Sequence, residues 1–171
     1  MNIALYGFMG VGKTVVGKAL AEMTGMAFVD LDEEIVERAG RTISEIFDEE
    51  GEVAFREIER GITQEIAARD GQVIACGGGT ILEADNLSSL KRNSILVLLT
   101  AEPEMILKRV MAEGDVRPLL NGEDKLQRIE SLLEARNSAY TQAAELILDT
   151  SGVTPEQVAE KILESMREDA G

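Results

Sequence analysis

Gly7-Phe8-Met9-Gly10-Val11-Gly12-Lys13-Thr14 sets glycines, a lysine and a hydroxyl in the order Gly-x4-Gly-Lys-Thr. That spacing suits a loop wrapped around phosphate oxygens. Glycines let consecutive backbone N–H groups turn inward, the lysine reaches β- and γ-phosphates, and the hydroxyl ligates magnesium. The loop follows the apolar run Ile3-Ala4-Leu5-Tyr6 and opens a helical pattern from Lys13 to about Thr24. Strand, glycine-rich loop and helix in this order are the context that a phosphate-binding P-loop requires.

Further residues stand where a second reactant would approach. Asp30 and Asp32 close the apolar run Ala27-Phe28-Val29 and face one side if the strand continues. Glu33 and Glu34 beside them fit an acidic helix start. Gly77-Gly78-Gly79 ends another apolar run, and three glycines in a row are entropically costly. They point either to a ligand against bare backbone or to a flexible turn. Arg136 interrupts the apolar stripe Ile129, Leu132, Leu133, Tyr140, Ala143. A core-facing arginine wants an anion, either an internal carboxylate or a ligand. Arg56 flanks the stripe Phe55, Ile58, Ile62, Ile66, with Glu59 at i+3 or Glu52 at i−4 as its partner. Arg117 lies in a segment rich in glycine, proline and charge, and a loop arginine there can close over a transferring phosphate. Asp48-x-x-Gly51 matches a magnesium-loop pattern of GTP switches but follows a helical segment, and no Asn-Lys-x-Asp accompanies it.

The elements that must position these residues alternate. Apolar runs at 3–6, 27–30, 72–76, 95–99 and 145–149 read as strands. Helical patterns fall at 13–24, at 32–70 with breaks near Gly40 and Gly51, at 83–91, 102–112 and 124–144, and from Thr154-Pro155 onward. Such alternation predicts an α/β fold, a parallel sheet covered on both faces, with ligands beyond the carboxyl ends of the strands. The 171 residues suit a single domain. Lysine and arginine number 17 against 32 aspartate and glutamate, a net charge of -15, which argues against nucleic-acid and anionic-membrane partners. With no histidine and one cysteine, Cys76, an intrachain disulfide and a His/Cys zinc site are excluded, and acid–base work falls to carboxylates. The opening residues carry no signal-peptide pattern, and no apolar stretch reaches spanning length, so a cytoplasmic location is the expectation.

Taken together, "GFMGVGKT", "FVDLDEEIVERAGRTISEIFDEEGEVAFREIE", "GGGT", "VRPLL" and "ARNSAY" resemble the shikimate kinase family in order and spacing across nearly the whole chain. The resemblance implies a three-layer P-loop kinase fold with sheet order 2-3-1-4-5, a substrate-binding helical segment at about 32–60 and a mobile lid at about 112–124. It implies transfer of the γ-phosphate of ATP to the 3-hydroxyl of shikimate by a monomer. Gly10, Val11, Gly12, Lys13, Thr14 and Val15 would hold ATP, with Arg109 and Pro155 on the adenine side and Arg117 as the lid arginine. Thr14 and, through water, Asp30 would serve Mg2+. Lys13, Asp32 and Arg117 would be catalytic. Asp32, Arg56, Gly78, Gly79 and Arg136 would bind shikimate, Glu59 would brace Arg56, and Phe47 and Phe55 would wall the ring. A kinase of another hydroxylated acceptor, such as gluconate, and a nucleotide-binding regulator without turnover are the alternatives.

Overall fold

The computed structural model describes residues 1–113, 124–169 and 171. Strand β1 (Asn2–Tyr6) is buried at every position, as its unbroken apolar run requires of a strand covered on both faces. It forms the centre of a five-stranded parallel sheet of order β2-β3-β1-β4-β5, with β2 Ala27–Asp30, β3 Gln72–Ala75, β4 Ser94–Thr100 and β5 Leu146–Asp149. Register brings the carboxyl ends level: Leu5 pairs with Ala75, Asp30 with Ala75, Tyr6 with Leu98, and Thr100 with Asp149. β5 alternates half-buried and exposed positions because it is the edge strand.

Seven α-helices lie among the described residues. These are α1 Lys13–Thr24, α2 Leu31–Ala39, α3 Ile43–Ala67, α4 Ala84–Lys91, α5 Pro103–Ala112, α6 Lys125–Ala143 and α7 Pro155–Asp169. α1 packs with α7 and against β1 and β3, while α4 and α6 lie against β4, α3 on α4, and α5 on α6. The core runs through both layers, from Val16, Leu20, Val158 and Ile162 to Ile66, Leu90, Ile106 and Ile129.

Most predicted elements stand within a residue or two of their expected bounds, and the expected break in α3 falls at Gly51, whose φ of 87° and ψ of 173° leave the helix. One expectation is corrected. The second strand does not continue through Asp32. Asp30 Oδ1 accepts the backbone N–H groups of Asp32 (2.9 Å) and Glu33 (3.2 Å), so it caps α2 and turns the chain into helix at Leu31. Asp32 therefore stands in the first helical turn, where a carboxylate also complements the helix dipole. Arg117 and the segment 114–123 of the expected lid lie outside the described residues.

Candidate active site

The P-loop is fixed first by backbone. Gly7 has φ +147°, and a Cβ there would stand 2.3 Å from the carbonyl oxygen of Leu99; Gly12, at φ +99°, is the N-cap of α1. Only glycine meets both demands. The loop thus runs into the N-terminus of α1, whose first backbone N–H groups have no intrahelical partner and suit an anion. Lys13 Nζ donates to the carbonyl of Gly7 at 2.7 Å, so its ammonium is folded over the loop it serves. Thr14 Oγ1 donates to Asp30 Oδ2 at 3.1 Å, bringing a hydroxyl and a carboxylate together at the carboxyl edge of β1 and β2. Val15 is exposed in the first turn of α1.

Arg109 of α5 reaches the other side of the loop. Its Nη1 donates to the carbonyl of Gly10 and to Thr150 Oγ1, both at 3.0 Å, and its Nη2 donates to the carbonyl of Thr150 at 3.1 Å. Thr150 is buried and in turn donates to the carbonyl of Val11 at 2.6 Å. The segment after β5 is therefore stitched to the P-loop. Pro155 begins α7, behind a reciprocal cap in which Thr154 Oγ1 accepts from Gln157 N–H and Gln157 Oε1 accepts from Thr154 N–H.

The glycine run after β3 explains itself by its neighbours. A Cβ on Gly77 would stand 2.8 Å from Asp32 Oδ1, one on Gly78 would stand 3.4 Å from Arg136 Nη1, and one on Gly79 would stand 2.6 Å from Arg56 Nη2. Gly77 and Gly79 thus admit Asp32 and Arg56, while a Cβ at Gly78 would make only an ordinary contact with Arg136. A Cβ on Gly78 would also be 3.9 Å from the carbonyl oxygen of Gly7, so this turn lies against the P-loop. The flexible-turn alternative gives way to close approach.

The two arginines are held differently. Arg56 Nη1 donates to Glu59 Oε1 at 2.8 Å, while Glu52 Oε1 stands 3.8 Å from Nε, so both sequence partners are present and Glu59 is the close one. Glu59 is 1% exposed and also accepts from Thr80 Oγ1 (3.0 Å) and Asn86 Nδ2 (3.4 Å). Among the described residues Arg136 meets neutral groups: Tyr140 Oη at 3.3 Å, the Gly78 carbonyl at 3.5 Å, and the face of Phe8 at 5.6 Å. Among the described residues no carboxylate pairs with its guanidinium. Tyr140 Oη donates to the Gly78 carbonyl, and burial pushes its phenol up, against the opposing pull of Arg136. Phe47 and Phe55 stack with ring centroids 4.7 Å apart, and the Arg56 guanidinium lies 5.1 Å from the Phe55 ring. Cys76 is buried where β3 meets the glycine turn, and burial pushes its thiol up to about 12, so it is no nucleophile.

Thr80, Asn86, Tyr140 as a hydroxyl, and Thr150 are contacts that sequence reasoning did not single out. Each makes at least one hydrogen bond to a residue far away in the chain, which no local period marks. The arrangement as a whole offers a phosphate loop at one end, a carboxylate beside it, and two guanidiniums at a glycine turn.

Comparison with known proteins bears on the family and the fold. A family model described as "Shikimate kinase" matches residues 9–167. The shikimate kinase of Symbiobacterium thermophilum is 43% identical over 169 residues, covering 98% of this chain and 97% of its own. That of Thermodesulfovibrio yellowstonii is 44% identical over 162 residues, covering 95% and 92%. The structure of a shikimate kinase from Acinetobacter baumannii in complex with shikimate superposes with a TM-score of 0.93 at 39% identity, over 98% of this chain and 93% of that one. With matching fold, motif order and near-complete coverage, this chain belongs to the shikimate kinase family.

Proposed function

We propose that this chain transfers the γ-phosphate of ATP to the 3-hydroxyl of shikimate, giving shikimate 3-phosphate and ADP. The product would feed chorismate and aromatic amino-acid biosynthesis in the cytoplasm. The observation that carries the reading is Arg136, a half-buried guanidinium at the glycine turn whose partners among the described residues are neutral. With Arg56 at Gly79, it makes a two-arginine receptor for a carboxylate. A gluconate-like acceptor also carries a carboxylate, but the walls formed by Phe47 and Phe55 favour a ring.

In this reading Gly10, Val11, Gly12, Lys13, Thr14 and Val15 hold the phosphates of ATP, with Arg109 and Pro155 toward the adenine. Asp32 accepts the hydrogen bond of the acceptor hydroxyl and takes its proton as the new P–O bond completes. The bond from the γ-phosphorus to the bridging oxygen breaks, and ADP leaves with that electron pair. Lys13 and, on the sequence alone, Arg117 stabilise the charge on the moving phosphoryl group. Arg56, Arg136 and the backbone of Gly78 and Gly79 fix the carboxylate end.

The metal fits the donors. Thr14 and Asp30 are hard oxygen ligands 3.1 Å apart, and the described residues hold no cluster of three or more acidic, His or Cys side chains. Mg2+ suits such a site, since it takes one or two protein groups and completes its shell with phosphate and water. When bound it would neutralise phosphate charge, with Thr14 as direct ligand and Asp30 acting through water. We assign the whole chain to a single domain, with residues 32–60 as its substrate-binding segment and 112–124 as its lid, and a monomeric state. No helix among the described residues is long and apolar enough to cross a membrane.

ADP release from ATP, measured with shikimate, gluconate or no acceptor, tests the assignment. Shikimate-dependent release with a phosphorylated product by mass spectrometry is expected. Preference for gluconate would move the acceptor, and tight binding of ATP and shikimate without turnover would favour a regulator.

A further inference from the structure

Glu59 is a carboxylate taken almost wholly out of water, and Arg56 alone does not satisfy it. A buried carboxylate needs its charge paired and its remaining lone pairs filled. Two side chains on the segment after the glycine turn do the filling. Thr80 Oγ1 donates to Oε2 at 3.0 Å, and Asn86 Nδ2 lies 3.4 Å from Oε1. Asn86 Nδ2 also donates to the Thr80 carbonyl at 3.1 Å. Both its partners are acceptors, so the donor end of the amide must face them. Asn86 is fully buried, and its Oδ1 has no hydrogen-bond partner among the described residues. The amide is therefore held by what it donates to. Thr80 N–H closes the turn onto the Gly77 carbonyl at 3.2 Å. One network thus grips the glycine turn and the carboxylate that aims Arg56 across it.

We infer that Thr80 and Asn86 are positioning residues for the acceptor's carboxylate, acting through Glu59 on the Arg56 guanidinium. Both side chains are fully buried, so their action is indirect. The hydroxyl and amide fix which way the Glu59 carboxylate faces, and the bond from Glu59 Oε1 to Arg56 Nη1 transmits that direction. The inference rests on the proposed shikimate reaction, because it names what Arg56 receives.

Thr80→Val keeps the shape and removes the hydroxyl, while Thr80→Ser keeps the hydroxyl. Both variants, with Asn86→Ala, are assayed on full-length protein against shikimate and against its neutral carboxamide. Thr80→Val is expected to raise the KM for shikimate about tenfold, the scale of one hydrogen bond to a charged group. The KM for ATP should hold, Thr80→Ser should restore shikimate binding, and preference for shikimate over its carboxamide should narrow. Should Thr80→Val not fold, Asn86→Ala carries the same expectation. A lower melting temperature with shikimate KM and carboxamide preference intact would overturn the inference, as would equal losses on both acceptors. A wild-type protein with no shikimate-dependent ADP release would instead sink the proposed reaction, so the two failures are distinguishable.

Discussion

Arg136 and Lys carry the same charge but not the same shape, and the site uses the shape. The guanidinium spans the Gly78 carbonyl, Tyr140 Oη and the Phe8 ring at once. Arg136→Lys keeps a cation but loses the planar fork that a carboxylate matches with two bonds. The KM for shikimate should rise at least tenfold, with ATP binding unchanged; a lower melting temperature with normal KM would make Arg136 a structural arginine. Asp32 is the carboxylate at the glycine turn, and that turn lies against the P-loop. Asp32→Asn keeps its shape and loses its charge, so kcat should fall by roughly 10²–10⁴-fold, the span for a positioned base. Turnover within a few-fold of wild type would place the acceptor elsewhere. Residues of this kind were legible where a local rule marks them: the P-loop by spacing, Arg136 by helical phase, Arg56 by its two nearby glutamates. Asp32 was legible as a candidate but misplaced, because the capping bond from Asp30 competes with strand continuation. Thr80 and Asn86 were invisible because their partner, Glu59, lies 21 and 27 residues away along the chain.

At the scale of elements, the glycines of two turns look alike in sequence and differ in consequence. A methyl group on Gly7 would meet the rigid Leu99 carbonyl at 2.3 Å, at a φ of +147° that L residues avoid. A methyl group on Gly79 would meet the end of a long side chain, Arg56 Nη2, at 2.6 Å, at a position without positive φ. Gly7→Ala should therefore lower the melting temperature sharply or prevent folding. Gly79→Ala should leave stability close to wild type yet push Arg56 aside and raise the KM for shikimate. Paired thermal melts and steady-state kinetics separate the two, and equal melting losses would contradict the distinction. β3 and its turn also bury Cys76, so its thiol should resist a disulfide reagent at pH 8 in native protein and react on unfolding. Brisk native reaction would contradict that burial. The strands were legible because apolar runs of four or five residues set between helical patterns have few other uses. Their order was not, since periodicity does not say which strand lies beside which; the resemblance supplied it.

Across the whole molecule, 32 acidic residues face 17 basic ones, and the net charge of -15 acts against compactness. Local ion pairs oppose this. Arg38 bridges Glu34 (3.2 Å) and Glu65 (2.5 Å), and Arg41 bridges Glu49 (2.8 Å) and Glu50. The pairing with Arg38 holds the Glu65 carboxyl below its ordinary range. These pairs are solvent-exposed or nearly so, and exposed pairs contribute little to stability. Added salt weakens both effects, but unequally. A touching pair is within a few ångströms, whereas the repulsion sums over many carboxylates farther apart. Shortening the Debye length from about 30 Å to about 8 Å, on going from 0.01 to 0.15 M, removes mostly the long-range part. The melting temperature should therefore rise over that range of sodium chloride, before any ligand is added. Reversing acidic charges on α7, for example Glu160→Lys with Glu164→Lys, should flatten the rise by bringing the net charge from -15 to -11, since each exchange replaces -1 with +1. A melting temperature that falls with salt would show that the Arg38 and Arg41 pairs outweigh the collective field.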